Sequence, residues 1–316
     1  MRIIAPSHVH VGNFDLHGGV GRLYGTIGFS LEYPRVVVEV SIDSEYRVDG
    51  GSRSSEVMDM TRKASKICKC GPLHVRVLEE IPGHVGLGST TALALSIAHG
   101  VNVLCNAGLD VESLAYMMGR GSISALGVYS FKYGGFIIDG GFIPGQGRVP
   151  PLLFRAHVPS RYLMIVALPE KPIEDVLRIK SREEEILKSM PRMDEDMAME
   201  ASRIALMGIM AYVSDNQWIA AGKWITQFNR RLGEYWSAKQ RGVYCCEEVE
   251  GLVETFLENG ALLSAQSSWG PTVYGLVESG KAGHVASVIR EKLEEAGGGR
   301  LWVTPVNNTG AIVYTT

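Results

Sequence analysis

Three short segments of this 316-residue chain concentrate the groups able to hold an anion or move a proton. The first, PGHVGLGST over residues 82–90, sets Gly86 and Gly88 just ahead of an apolar run that opens with Ser89, Thr90 and Thr91. Glycines permit positive φ and close backbone approach, and a helix start offers unpaired N–H groups with a dipole that favours an anion. Phosphate binding is the chemistry this suits; a tight strand-to-helix turn, glycine-rich only for packing, is the alternative. The loop is not a Walker A motif, because the lysine of G-x4-G-K-[ST] is absent. The second segment, GRGSISALG over 119–127, holds Arg120 beside Gly121 and Ser122. A guanidinium there can grip phosphate in bidentate fashion, or simply sit as an exposed cation at a helix C-terminus. The third, SHVHVGNFDLHGGVGR over 7–22, carries His8, His10, His17, Asp15 and Arg22. These ligand types suit a metal, yet alternating His and Val equally describe a half-exposed strand. Outside the three segments, Asp139 ends the apolar run FIID and can bind Mg²⁺ or cap a turn, and Trp269 in SSWGPT can cover a ring or fill a core.

Composition limits the partners. Thirty-one Lys+Arg against 34 Asp+Glu leave a net charge of −3, and the longest basic run is Arg230-Arg231, which argues against general nucleic-acid binding. Hydrophobic residues at 46% and charged ones at 21% read as an ordinary globular chain. No apolar stretch reaches the roughly 18 residues of a membrane span, and the start reads as too short for a signal peptide, so a cytoplasmic protein with no membrane contact is expected. Five cysteines in C-x-C and C-C spacings match neither a zinc site nor a disulfide framework, and reduced thiols are expected. The 37 glycines are about 12% of the chain against a usual ~7%, clustered without a fixed period.

Elements must position these residues. The runs 36–42, 74–81, 131–145, 162–169 and 272–278 read as strands, with two more in RLWVTPV and GAIVYT. Helices are expected over 91–105, over VESLAYMMGR behind an Asp110 cap, and over 181–190, 194–214, 217–240, 245–258 and 281–296. PGQGRVPPLL over 144–153 is the linker candidate. The mixture predicts an α+β fold in two lobes, 1–157 with the glycine loops and 158–316 after it.

Together the loops bring a family into view. Pro82-x3-Gly86-Leu87-Gly88-Ser89 is similar to the phosphate motif of the superfamily named for galactokinase, homoserine kinase, mevalonate kinase and phosphomevalonate kinase. PSHVHVGNFDLHGGVGRLYGTIGFSLE, GRGSISALGVYSFKYGGFIIDGG, SSWGPTVYG and NNTGAIV, in order along the chain, resemble one archaeal branch, the β-ribofuranosylaminobenzene 5′-phosphate synthases of methanopterin biosynthesis. The resemblance implies a two-lobed small-molecule-kinase fold with a ferredoxin-like C-terminal lobe, the substrate between the lobes, and a homodimer. It implies a Mg²⁺-assisted transfer from 5-phosphoribosyl 1-diphosphate to 4-aminobenzoate, or 4-hydroxybenzoate, with loss of CO2 and diphosphate. Gly86, Gly88, Ser89, Thr90 and Thr91, with Gly121 and Ser122, then form the phosphate cradle. Arg22 and Arg120 become cationic clamps, Asp15 and Asp139 hold metal or steady a cation, His10 and His84 contact substrate oxygens or move protons, and Trp269 covers substrate. The runner-up is an ATP-dependent small-molecule kinase; where base-using kinases of the superfamily carry aspartate, this chain reads Ser122-Ile123-Ser124. A non-catalytic binder of phosphorylated sugars is a third reading. The chain also departs from the branch at His8, where arginine is usual, and at Thr90-Thr91-Ala92, where G-T-Q is usual, which leaves the acceptor open.

Overall fold

The computed structural model describes residues 1–171, 174, 186, 189–240 and 242–315. The helix expected over 181–190 lies almost wholly outside the described residues. No helix among the described residues is long and apolar enough to cross a membrane.

The first lobe is built on two long strands, β1 (Arg2–Asp15) and β2 (Tyr24–Ile42), paired antiparallel. The β-branched run Val36, Val37, Val38 and Val40 buries completely within β2, as a strand covered on both faces should. Beyond β2 come β3 (Arg47–Asp49), the helix α1 (Ser54–Cys68) and β4 (Leu73–Glu79), with β4 pairing both β2 and β3. Next is α2 (Ser89–Leu104), whose Leu93, Leu95, Ile97, Ala98 and Val101 are all fully buried. Being apolar on nearly every face, it sits inside the lobe rather than on it. The helices α3 (Val111–Met117) and α4 (Leu126–Lys132) lead to β5 (Phe136–Asp139) and β6 (Leu152–Ala156), which extend the sheet from β2. The strand expected over 131–145 is thus only its centre. Tyr129 and Phe131 bury in helical form, because a short apolar run does not reveal its period.

The second lobe starts at β7 (Tyr162–Pro169). It continues through α5, formed by Glu195–Arg203 and prolonged by the π-helical Ile204–Met210 and by Ala211–Ser214, then α6 (Trp218–Gln240) and α7 (Glu247–Glu258). The strands β8 (Leu263–Gln266) and β9 (Val273–Glu278), helix α8 (Ala282–Glu295) and strand β10 (Gly299–Thr304) complete an antiparallel sheet in the order β10-β7-β9-β8. Counted within the lobe that order is 4-1-3-2 with helices after strands one and three, the ferredoxin-like arrangement that the family resemblance implies. The last strand, β11 (Ile312–Tyr314), leaves this lobe and pairs with β1. The chain end therefore belongs to the first sheet, where Asn307 also bonds the backbone of Ser30 and Gly135.

The lobes share one apolar core. Trp218, only 1% exposed at the start of α6, packs edge-on against Phe136 of the first lobe at 5.9 Å and near Tyr162 of the second at 6.4 Å. The thiol expectation needs correcting at one pair: Cys70 and Cys105, 35 residues apart, form a disulfide with Cα atoms 5.9 Å apart. Each cysteine follows the C-terminal end of its helix, α1 or α2, and packing of the two helices brings those ends together, which spacing alone does not show. Cys68, Cys245 and Cys246 are free.

Candidate functional site

A cleft of about 610 Å³ runs between the lobes. Its floor is β1. The β1–β2 register slips between His10 and Gly12, and this bulge shifts the alternation so that Asn13 joins His8 and His10 on the cleft side.

The phosphate loop forms one wall. Gly86 at φ 92° and Gly88 at φ 69° are left-handed, and so is His84 at φ 61°. Gly88 is the N-cap of α2, so no side chain caps that helix and its first N–H groups face the cleft with the Thr90 and Thr91 hydroxyls. A Cβ on Gly88 would run into the His8 imidazole, and one on Gly86 would lie 2.5 Å from the Ser267 carbonyl oxygen. The loop is pinned from the second lobe: Ser267 Oγ donates to the Gly86 carbonyl at 2.6 Å while accepting the His10 N–H at 2.9 Å, and Thr272 Oγ1 donates to the Val85 carbonyl at 2.6 Å.

The second glycine loop faces the first. Arg120, Gly121, Ser122 and Ser124 line the cleft, and Arg120 is its one lysine or arginine among the described residues. Its Nε donates to the Gly119 carbonyl at 2.8 Å. Opposite, α6 contributes Asn229, Trp236 and Gln240, and the segment after β8 contributes Gln266, Ser268 and Trp269. Trp269 is 7% exposed and meets Trp236 edge-to-face at 4.8 Å. Asn229 Nδ2 donates to the carbonyls of Val11 at 2.7 Å and Gln266 at 3.0 Å, which fixes the floor against the far wall.

Thus His10, His84, Gly86, Gly88, Ser89, Thr90, Thr91, Arg120, Gly121, Ser122 and Trp269 gather in one cleft. Three expected residues do not. Arg22 donates from Nε and Nη2 to the Gly140 and Gly141 carbonyls at 2.6 and 2.7 Å, so its charge serves a turn rather than a ligand. Asp15 accepts the N–H groups of His17 and Gly18 at 2.9 and 2.7 Å. Asp139, fully buried, accepts N–H groups of Thr26, Ala125 and Gly141 at 3.2, 2.8 and 2.9 Å. It anchors the start of α4, and with it the loop carrying Arg120. Asp139 takes backbone donors on both oxygens and Asp15 two on Oδ1, neither lines the cleft, and no His/Cys/Asp/Glu trio among the described residues is arranged for a metal. Asp15 and Asp139 therefore do not fit as Mg²⁺ ligands.

Burial outweighs the three N–H donors at Asp139 and raises its carboxyl from 3.8 to about 6. A carboxyl with a raised folded-state pKa stabilises the fold below its unfolded value and loses that contribution as pH rises through its folded value. Unfolding free energy is expected to fall by about 2 kcal/mol from this group between pH 4 and pH 6, out of about 3 kcal/mol over its whole titration. Urea titrations across that range check it, and Asp139→Asn should flatten the trend while lowering stability at every pH, because its amide nitrogen cannot accept the Ala125 N–H.

The sequence did not single out Asn13, Asn229, Gln240, Gln266 or Ser267. His8, named in the sequence as a ligand type and as a departure from the branch, lies with its ring against both glycine loops, a Cβ on Gly127 falling 2.8 Å from His8 Cε1. Backbone strain is another sign, since Tyr24, His84 and Ser268 are three of the six non-glycine residues with positive φ among the described residues, and all line the cleft.

Comparison with known proteins agrees with this geometry. Residues 54–135 match the GHMP kinases N terminal domain and residues 209–295 the GHMP kinases C terminal region. The chain is 29% identical over 98% of both chains to the beta-ribofuranosylphenol 5′-phosphate synthase of Methanothermobacter thermautotrophicus, and 27% identical, again over 98% of both, to that of Archaeoglobus fulgidus. The homoserine kinase of Cytophaga hutchinsonii superposes with a TM-score of 0.69 at 17% identity, over 99% of this chain and 97% of that one, a likeness of fold. The chain belongs to the GHMP kinase superfamily and is similar over 98% of its length to beta-ribofuranosylphenol 5′-phosphate synthases.

Proposed function

We propose that the cleft binds 5-phosphoribosyl 1-diphosphate and joins its ribosyl carbon to the carboxylate-bearing ring carbon of 4-hydroxybenzoate, releasing diphosphate and CO2, as a step of methanopterin biosynthesis. The observation that carries the reading is the cleft's composition: two glycine loops face each other with one arginine, and no carboxylate among the described residues lies in the lining. The α2 start, with Ser89, Thr90 and Thr91, suits the diphosphate, whose developing charge meets preorganised N–H groups and a helix dipole. Arg120 with Gly121 and Ser122 suits the 5′-phosphate. The C1′–oxygen bond breaks with its pair going to diphosphate, and ring π electrons form the C1′–carbon bond. The ring–carboxyl bond then breaks, its pair restoring aromaticity as CO2 departs. No ring proton is removed, so the chemistry needs no carboxylate base. Magnesium would arrive on the diphosphate itself, since Mg²⁺ is commonly held through substrate phosphates.

The relatives are named for a phenol, which favours the hydroxy acid over 4-aminobenzoate. ³¹P NMR of the protein with phosphoribosyl diphosphate, magnesium and 4-hydroxybenzoate tests the reading. Diphosphate and a new phosphomonoester should appear only when the acid is present. Inert phosphoribosyl diphosphate, with ADP formed from ATP and a metabolite hydroxyl, would support the kinase reading instead.

A further inference from the structure

Beside the cleft lies a second cavity of about 330 Å³, and Tyr24 and Trp236 line both. Its walls are mainly apolar, with three aromatic rings, Tyr24, Tyr235 and Trp236, among Leu16, Leu23 and Met190. Tyr24, held at φ 71°, stacks on Phe142 at 5.6 Å, and Tyr235 meets Trp236 edge-to-face at 4.7 Å. The Tyr235 hydroxyl is already spent on the Pro191 carbonyl at 2.7 Å, and burial pushes its pKa to about 12, so it stays neutral. The lining also holds an imidazole, His17, and a guanidinium, Arg192, and no carboxylate among the described residues accompanies them. Arg192 is exposed and makes no ion pair with the described residues. His17 sits on the turn that the Asp15 carboxylate holds through the N–H groups of His17 and Gly18. This gives Asp15 a purpose that its type alone did not disclose.

We propose that this second cavity is the acceptor subsite and takes a para-hydroxylated aromatic acid, its ring among Tyr24, Tyr235 and Trp236 and its hydroxyl turned toward His17 and Arg192. The inference rests on the synthase reading. The volume suits a ligand of ten non-hydrogen atoms, and a mainly apolar pocket with a few convergent polar groups is the usual form of a small-molecule site. Orientation follows from the chemistry. The carbon bearing the carboxylate must face the ribosyl carbon in the main cleft, so that end lies at the shared residues Tyr24 and Trp236, and the para substituent lies in the part of the cavity that the cleft does not share. There a hydroxyl accepts from Arg192 and donates to a ring nitrogen of His17. An aniline nitrogen, its lone pair delocalised into the ring, accepts poorly from a guanidinium, so the cavity prefers the hydroxy acid to the amino acid.

Calorimetric titration of the full chain with 4-hydroxybenzoate and with 4-aminobenzoate, each with and without inorganic diphosphate and magnesium, tests this. Wild type should bind 4-hydroxybenzoate more tightly. Arg192→Ala should weaken that binding roughly tenfold, the scale of one charge-assisted hydrogen bond, and narrow the preference over 4-aminobenzoate while leaving diphosphate binding unchanged. Tyr235→Leu should weaken both acids alike. The proposal is overturned by unchanged affinity in both variants or by no binding of either acid to wild type. Should the variants lose the acid while wild type releases no CO2, the cavity assignment stands and the synthase reading falls. Should wild type release CO2 while the variants bind as wild type does, the cavity assignment falls alone.

Discussion

Gly88→Val is expected to lower kcat/KM by three orders of magnitude or more while leaving a folded protein. A β-branched residue at φ 69° is strained wherever it stands, and here its Cβ would collide with the His8 imidazole. The loop must shift to relieve the clash, and the N–H groups at the start of α2 move with it. Electrostatic stabilisation of a leaving group depends on donors held at the right place, and losing one such donor alone costs about 10²–10³ in rate. The helix behind the loop keeps its core contacts through Leu93, Ile97 and Val101. Circular dichroism should therefore show native helix content, with stability lower by about 2 kcal/mol. Turnover within tenfold of wild type would reduce the loop to a structural turn.

Arg120→Ala is the second large effect. Among the described residues no other lysine or arginine lines the cleft, so its loss leaves a bound phosphate without a formal positive partner. Phosphoribosyl diphosphate binding should weaken by roughly 2–4 kcal/mol, about 30- to 1000-fold. Arg120→Lys should recover part of it, since a lysine restores charge without the planar fork. Titration with phosphoribosyl diphosphate reads both variants. If neither changes the dissociation constant, the residue is an ordinary arginine at a helix end.

What the sequence disclosed and what it hid follow a physical line. The two glycine loops were legible because φ > 0 and close approach leave a compositional trace, and both loops reach the cleft. Asp15, Arg22 and Asp139 were misassigned because a charged side chain's type does not say whether backbone or ligand will satisfy it. All three are bound to backbone groups, Arg22 and Asp139 in part to residues more than 110 positions away. Asn229 and Ser267 were invisible for the same reason, their partners Val11 and Gly86 lying 218 and 181 residues off. The 4-1-3-2 order of the second sheet was implied by family likeness and by nothing in its local periodicity, which shows strands but not their neighbours. The second cavity had no sequence signal, because the turn from β1 to β2, α6 and the segment 190–192 meet only in the folded chain.

The central claim is that carbon–carbon bond formation, decarboxylation and diphosphate departure are one reaction in this cleft. The most direct measurement is to supply carboxyl-labelled 4-hydroxybenzoate with phosphoribosyl diphosphate and magnesium and to count released CO2 against released diphosphate through the time course. The account predicts a ratio of one throughout, with neither product formed when either substrate is omitted. Diphosphate released with the label still on the aromatic product, or CO2 released without diphosphate, would contradict it.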